Sequence, residues 1–153
     1  MKAGDSMKPH KQLFYAYSAL YRPYINQLNA QLAPFNLTSS QWAVMHFVLH
    51  NGEHTISDLS TYQNVEKPTI TKMVQRLIEL DYVEAQSGTD KRTRFIRLSK
   101  NGEAVCEQVL EKLSTYQSYL VGEIPEADQL LVADVLGKLS AKITTYDEDG
   151  KNE

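Results

Sequence analysis

The residues of this 153-residue chain best suited to bind a charged partner crowd into one stretch, Ser87 to Gly102, "SGTDKRTRFIRLSKNG". Lys91, Arg92, Arg94, Arg97 and Lys100 surround a single acid, Asp90, although the formal net charge of the chain is −3. Counting Lys and Arg against Asp and Glu, residues 1–63 sum to +1, residues 64–100 to +3 and residues 101–153 to −7. A cationic middle third in an acidic chain is where a polyanion docks.

The run just upstream, "VEKPTITKMVQRLIELDYV", adds polar groups suited to the same partner. Thr69 and Thr71 carry hydroxyls that donate or accept at base edges or phosphates near a helix start, where amides without a helical partner favour anions. Lys72 and Arg76 stand one helical turn apart and so reach one strip of a duplex. Lys91 and Arg92 at a hairpin tip suit a narrow minor groove, whose negative potential attracts cationic side chains. Ser87 to Arg92, with Gly88 in the bend, forms that tip, and Ile96 and Leu98 anchor the hairpin.

Other candidate chemistry is sparser. His46 and His50 are an i, i+4 pair with His54 just beyond Gly52, a spacing that suits zinc; read as ordinary core and surface histidines, they hold no metal, and none is expected. The one cysteine, Cys106, lies among Val105, Val109 and Leu110 and reads as a buried, inert thiol suited to a reducing cytosol. Tyr15, Tyr17, Tyr21, Tyr24 and Trp42 read mainly as core and interface, with a ligand pocket as the alternative. The sequence holds no glycine-rich phosphate loop, nucleophile elbow or HExxH pattern, and Glu107 and Glu111 fit a helix surface. The expectation is therefore a non-enzyme without a cofactor. No apolar run approaches the ~20 residues that span a bilayer, and "MKAGDSMKPHKQ" lacks a secretion signal, so a cytoplasmic protein without a membrane partner is expected.

Positioning these groups requires a series of helices and one hairpin. Leu13, Tyr17, Leu20, Tyr21, Tyr24, Ile25, Leu28 and Leu32 recur at threes and fours, predicting a first helix that Pro23 bends and Pro34 ends. Thr38 and Gln41 have capping-box spacing ahead of a second helix closed by Asn51-Gly52. Thr55 and Asp58 open a short third helix, with Ile56 and Leu59 facing inward, and Gln63 to Glu66 turn the chain. Ile70, Met73, Val74, Leu77 and Ile78 then define a fourth, strongly amphipathic helix, with Glu66 as its cap and Pro68 tolerated in its first turn. The strand-like runs "YVEAQ" and "TRFIRL" follow, Ser99 caps a long fifth helix, and a last helix begins after Ile124-Pro125.

A short helix, a turn, a polar-faced helix and a basic hairpin in direct succession make a helix-turn-helix with a wing. Here the sequence also resembles a family. Asp90-x-Arg92, five residues, then Leu98-Ser99-x-x-Gly102 is similar to the wing signature of MarR-type regulators, and the fourth helix looks like their recognition helix. The resemblance covers nearly the whole chain. It implies that Arg92 enters the minor groove, that Asp90 holds the wing through an ion pair, and that Lys67, Pro68, Thr69, Thr71, Lys72 and Arg76 lie in or beside the major groove, with Lys91 and Arg94 on the wing. The peroxide-sensing branch carries a cysteine near the start of its first helix, where this chain reads "LFYAY".

The expected architecture is mainly α with a small β-hairpin wing. Residues 1–153 form one MarR-like domain, with a winged helix-turn-helix lobe at 38–98, dimerisation helices at 10–33 and 99–146, and a disordered acidic tail at 147–153. Apolar stripes on the first and the two closing helices exceed what a small winged lobe covers. Pairing two chains buries them and sets two recognition helices ~34 Å apart, matching a pseudo-palindromic operator in double-stranded DNA. The expected function is a homodimeric repressor released by a small-molecule or stress signal. The alternatives are a winged-helix module for protein association and a metal-responsive regulator using His46 and His50.

Overall fold

The computed structural model describes residues 7–90 and 92–146. Lys91 and the acidic tail at 147–153 lie outside the described residues. Six helices and a small sheet follow one another as α1 (Pro9–Leu32), a 3-10 turn (Ala33–Phe35), α2 (Ser39–Asn51), β1 (His54–Thr55), α3 (Ile56–Gln63), α4 (Lys67–Glu79), β2 (Val83–Ser87), β3 (Arg94–Leu98), α5 (Lys100–Val121) and α6 (Glu126–Ile143). The chain divides into two compact units between Ser114 and Thr115, within α5.

The first unit closes a core on itself. Leu32, Met45, Leu59, Ile70, Leu77 and Ile96 are all fully buried, so α1, α2, α3, α4 and β3 each contribute at least one side chain. Two reciprocal capping boxes set helix starts: Thr38 with Gln41 at α2, and Thr55 with Asp58 at α3. Each satisfies two orphan amides by local hydrogen bonds. The Thr55 bonds hold the Asp58 carboxyl below its ordinary pKa. At Gly52, φ is +77°, in the region glycine adopts without steric cost, and the chain leaves α2 there. α1 continues through Pro23, and the helix gives way to the 3-10 turn just before Pro34.

The sheet is larger than the expected hairpin. β2 pairs antiparallel with β3, placing Ala85 opposite Ile96 and Glu84 opposite Arg97, and β1 adds a third strand on the far edge of β3, with His54 opposite Ile96. Two residues carry too little periodicity to announce a strand, and this one forms only because β3 supplies distant partners.

A tight junction ties the sheet to α5. The Ser99 hydroxyl donates to the Asp81 carbonyl at 2.6 Å and accepts from the Gly102 amide at 2.9 Å, which is the expected cap. A Cβ at Gly102 would collide with the Tyr82 carbonyl, so only glycine allows this approach. The Tyr82 hydroxyl in turn donates to the Phe35 carbonyl at 2.8 Å, linking the same junction to the 3-10 turn that follows α1.

In the second unit, no side chain of α6 is buried. Leu130 is 71% exposed, Ile143 is 73% exposed, and Leu131, Val132 and Leu136 are exposed with them. The first half of α1 has the same character, with Leu13, Phe14, Tyr17 and Leu20 exposed.

Candidate nucleic-acid interface

The interface is built on α3 and α4. α3 is pinned by Gln63, whose amide donates to the Ser40 carbonyl at 2.7 Å across to the first turn of α2. The turn is shorter than expected, because Gln63 still belongs to α3. Asn64, at φ +54°, ends that helix in the left-handed region that asparagine tolerates.

α4 then separates its faces cleanly. Ile70, Val74 and Leu77 are buried. Lys67, Pro68, Thr69, Thr71, Lys72 and Arg76 are all exposed. Local bonding refines the role of each. Glu66 stands at the cap position, but its side chain makes no capping hydrogen bond, so the expected cap is absent. The opening turn is also a weaker anion site than a bare helix start. Pro68 has no amide hydrogen, and the Thr69 amide already donates to the Glu66 carbonyl at 3.0 Å. The Thr71 hydroxyl donates to the Lys67 carbonyl at 2.9 Å, which leaves its lone pairs to accept from an outside donor. Arg76 meets Glu79 at 3.3 Å in an exposed pair, of a kind worth only about 0–1 kcal/mol and readily exchanged for phosphate. Lys72 has no ion-pair partner among the described residues.

The wing follows within a few residues of α4. Gly88 and Thr93 close its neck by an amide-to-carbonyl bond of 3.0 Å, and the Thr93 amide donates to the Asp90 carbonyl at the same length. The Asp90 carboxylate accepts from the Arg92 amide at 3.1 Å. Among the described residues Asp90 makes no ion pair, and the contact it does make is with the backbone: a short acid two residues before an amide folds the tip by itself. Arg92 and Arg94 are exposed, and neither has an ion-pair partner among the described residues.

Arg97 behaves differently from its neighbours. Its guanidinium lies 3.0 Å from the Glu84 carboxylate across the β2–β3 pair and 3.7 Å from the Glu53 carboxylate. Its charge is engaged beside the sheet, so the basic stretch divides into cations at the tip and a clamp at the root. Glu84 is readable as the residue opposite Arg97 once the strands are paired, whereas Glu53 gives no sequence signal.

The candidate sensing groups are dispersed. Cys106 is fully buried. Burial and then the nearby Glu103 carboxylate push its thiol up to about 11. The thiolate needed for oxidation is thereby suppressed. Tyr15, Tyr17 and Tyr21 are exposed on α1, while Trp42 is buried on α2 and stacks on His46. His54 is drawn away from the other two histidines. Its Nδ1 lies 2.9 Å from the Gly52 carbonyl, and its ring meets Phe47 edge-on.

Comparison with known proteins adds a family and a fold. A sequence profile described as the MarR family matches residues 35–93, spanning α2 to the wing. The chain is 31% identical over 120 residues to the HTH-type transcriptional regulator YwoH of Bacillus subtilis (strain 168), covering 78% of this chain and 88% of that protein. Among solved structures, a Staphylococcus aureus MarR in complex with salicylate and kanamycin superposes with a TM-score of 0.80 at 23% identity, covering 90% of this chain and 94% of that one. A mutant MarR from E. coli complexed with operator DNA gives a TM-score of 0.72 at 22% identity, covering 84% and 93%. At these identities the structural likenesses concern the fold.

Proposed function

Since the chain belongs to the MarR family, we propose that it is a homodimeric repressor that binds a pseudo-palindromic operator through α4 and the wing and lets go when a small molecule binds. The observation that carries this reading is the pattern on α4: one face is buried in the core, and the opposite face holds Lys67, Thr69, Thr71, Lys72 and Arg76 in solvent. A helix so presented fits the major groove, where Thr71 accepts from a base amino group and Lys72 and Arg76 meet phosphate or guanine. Arg92, together with Arg94 and Lys91, serves the adjacent minor groove and its phosphates, and Asp90 shapes the tip that presents them.

Dimerisation rests on the exposed apolar side chains of α1 and α6, which a second copy would cover. Residues 10–33 and 99–146 then form the dimer region and residues 38–98 the DNA-reading lobe. A soluble effector is supported by the salicylate complex of the Staphylococcus aureus relative. It acts in the cytoplasm, with the DNA it reads. Among the described residues no helix is long and apolar enough to cross a membrane.

Selection from random duplexes tests the reading. The protein should enrich a site with two inverted half-sites spaced by about one helical turn, ~10 bp. Recovery of unrelated sequences, or of a single half-site, would count against it.

A further inference from the structure

α2 carries a pair of ring nitrogens that the DNA-reading surface does not use. His46 and His50 lie one turn apart, with their Nε2 atoms 2.9 Å from one another and their rings nearly perpendicular, at 77°. The two nitrogens thus lie in hydrogen-bond contact beside the helix. One imidazole must donate and the other accept across this gap, so the resting pair shares one proton and at least one lone pair is directed inward. We propose that His46 and His50 form a two-histidine site for a divalent transition-metal ion that prefers right-angled coordination, Cu2+ or Ni2+.

The separation of the nitrogens selects the class of ion. Metal–imidazole bonds of about 2.0–2.1 Å joined to nitrogens 2.9 Å apart subtend about 90° at the ion. That is the angle between neighbouring ligands in a square-planar or octahedral shell, the geometry of Cu2+ and Ni2+. A tetrahedral zinc site would need the nitrogens about 3.3 Å apart, and so a spreading of the pair. Loading the site requires the donating ring to change tautomer, its Nε2 proton passing to solvent while its Nδ1 takes one up, after which both Nε2 lone pairs are free for the ion.

Three features of the surroundings favour this exchange. Trp42 stacks on His46 with ring centroids 5.1 Å apart, fixing one ligand's plane from behind. Burial, and then the neighbouring His50, hold the His46 pKa below its ordinary value, so this imidazole is neutral and available as a ligand at pH 7. His50 stands in the last turn of α2, where the helix dipole favours a cation. Among the described residues no third His, Cys, Asp or Glu joins the pair, so water completes the coordination shell.

The same stacking supplies the readout, because Trp42 is the only tryptophan of the chain. Untagged, metal-free, full-length protein is titrated with CuSO4 or NiCl2 at pH 7.5 while tryptophan emission and heat of binding are followed. Saturable quenching at one ion per chain is expected, with zinc binding more weakly than copper. His50→Ala and His50→Asn remove an exposed ligand without opening the core, and each should weaken copper binding at least tenfold while leaving the melting temperature of the metal-free protein in place. Quenching that does not saturate, or titrations of both variants that overlay the native one, would overturn the site and leave the pair as a shared-proton contact. DNA affinity does not enter this test, so its outcome is independent of the repressor reading.

Discussion

α4 and α6 are both amphipathic by sequence, yet they meet opposite fates. Ile70, Val74 and Leu77 of α4 are buried by the helices and strands of their own unit, and the polar face is left clean for a ligand. Leu130, Leu131, Val132, Leu136 and Ile143 of α6 remain in solvent, and no side chain of that helix is fully buried. One helix has its apolar partners within its own unit, and the other leaves its large apolar side chains exposed among the described residues. On the proposed function, recognition and assembly fall to separate segments, which mutations should affect separately.

The largest effect is expected from breaking the open face. A Leu131→Asp, Leu136→Asp double variant places charge where a second copy should dock, and an exposed position tolerates charge in a single chain. Sedimentation should show a monomer where the native protein is a dimer. Operator affinity should fall by two or more orders of magnitude as the two half-sites are uncoupled. A double variant that remains dimeric would place the interface elsewhere.

A smaller effect comes from the closed face. Ile70 is fully buried, and Ile70→Ala removes its side chain from the core. Loss of about 2–5 kcal/mol is expected in urea denaturation, with dimerisation retained wherever the protein is folded. Little change in stability would mean that α4 is packed less tightly than its burial indicates.

The smallest effect separates a stabilising thiol from a sensing one. Cys106 is protonated in the folded state, with its pKa raised to about 11 by burial and by Glu103. A folded-state pKa above the unfolded value means stability that is complete below about pH 8.5 and lost as pH rises toward the folded value. The stability advantage of the native chain over Cys106→Ala should therefore narrow between pH 8.5 and 11. At pH 8 the folded thiol should react with alkylating reagents about a hundredfold more slowly than the unfolded one. Fast alkylation of the folded protein would reinstate a redox role.

Much of the reading lobe is legible in the sequence because its determinants are local. The pairs Thr38–Gln41 and Thr55–Asp58, the periodicity of Ile70 to Ile78, and the Ser99 cap all act over a few residues, and each forms as expected. What escapes is non-local or chemically degenerate. β1 exists through its pairing with β3, some forty residues on. Arg97 looks like one cation among five until Glu84 and Glu53 engage it. Asp90 and Arg92 have the types of an ion pair, but the backbone amide reaches the carboxylate instead. The apolar stripes of α1 and α6 are visible in the sequence, because an excess of buried-type residues shows there even where the structure leaves those residues exposed.

The central claim, that α4 and the wing grip duplex DNA, is tested most directly by fluorescence anisotropy with a selected duplex over a range of salt, comparing the native dimer with Arg92→Ala. Arg92 is exposed at the wing tip, so the variant should fold and dimerise normally. Native affinity should fall steeply as salt rises, and Arg92→Ala should weaken binding by about 1–3 kcal/mol with a shallower salt slope. An Arg92→Ala dimer that binds as tightly as the native one at every salt concentration, or a native dimer with no duplex affinity at low salt, would contradict the account.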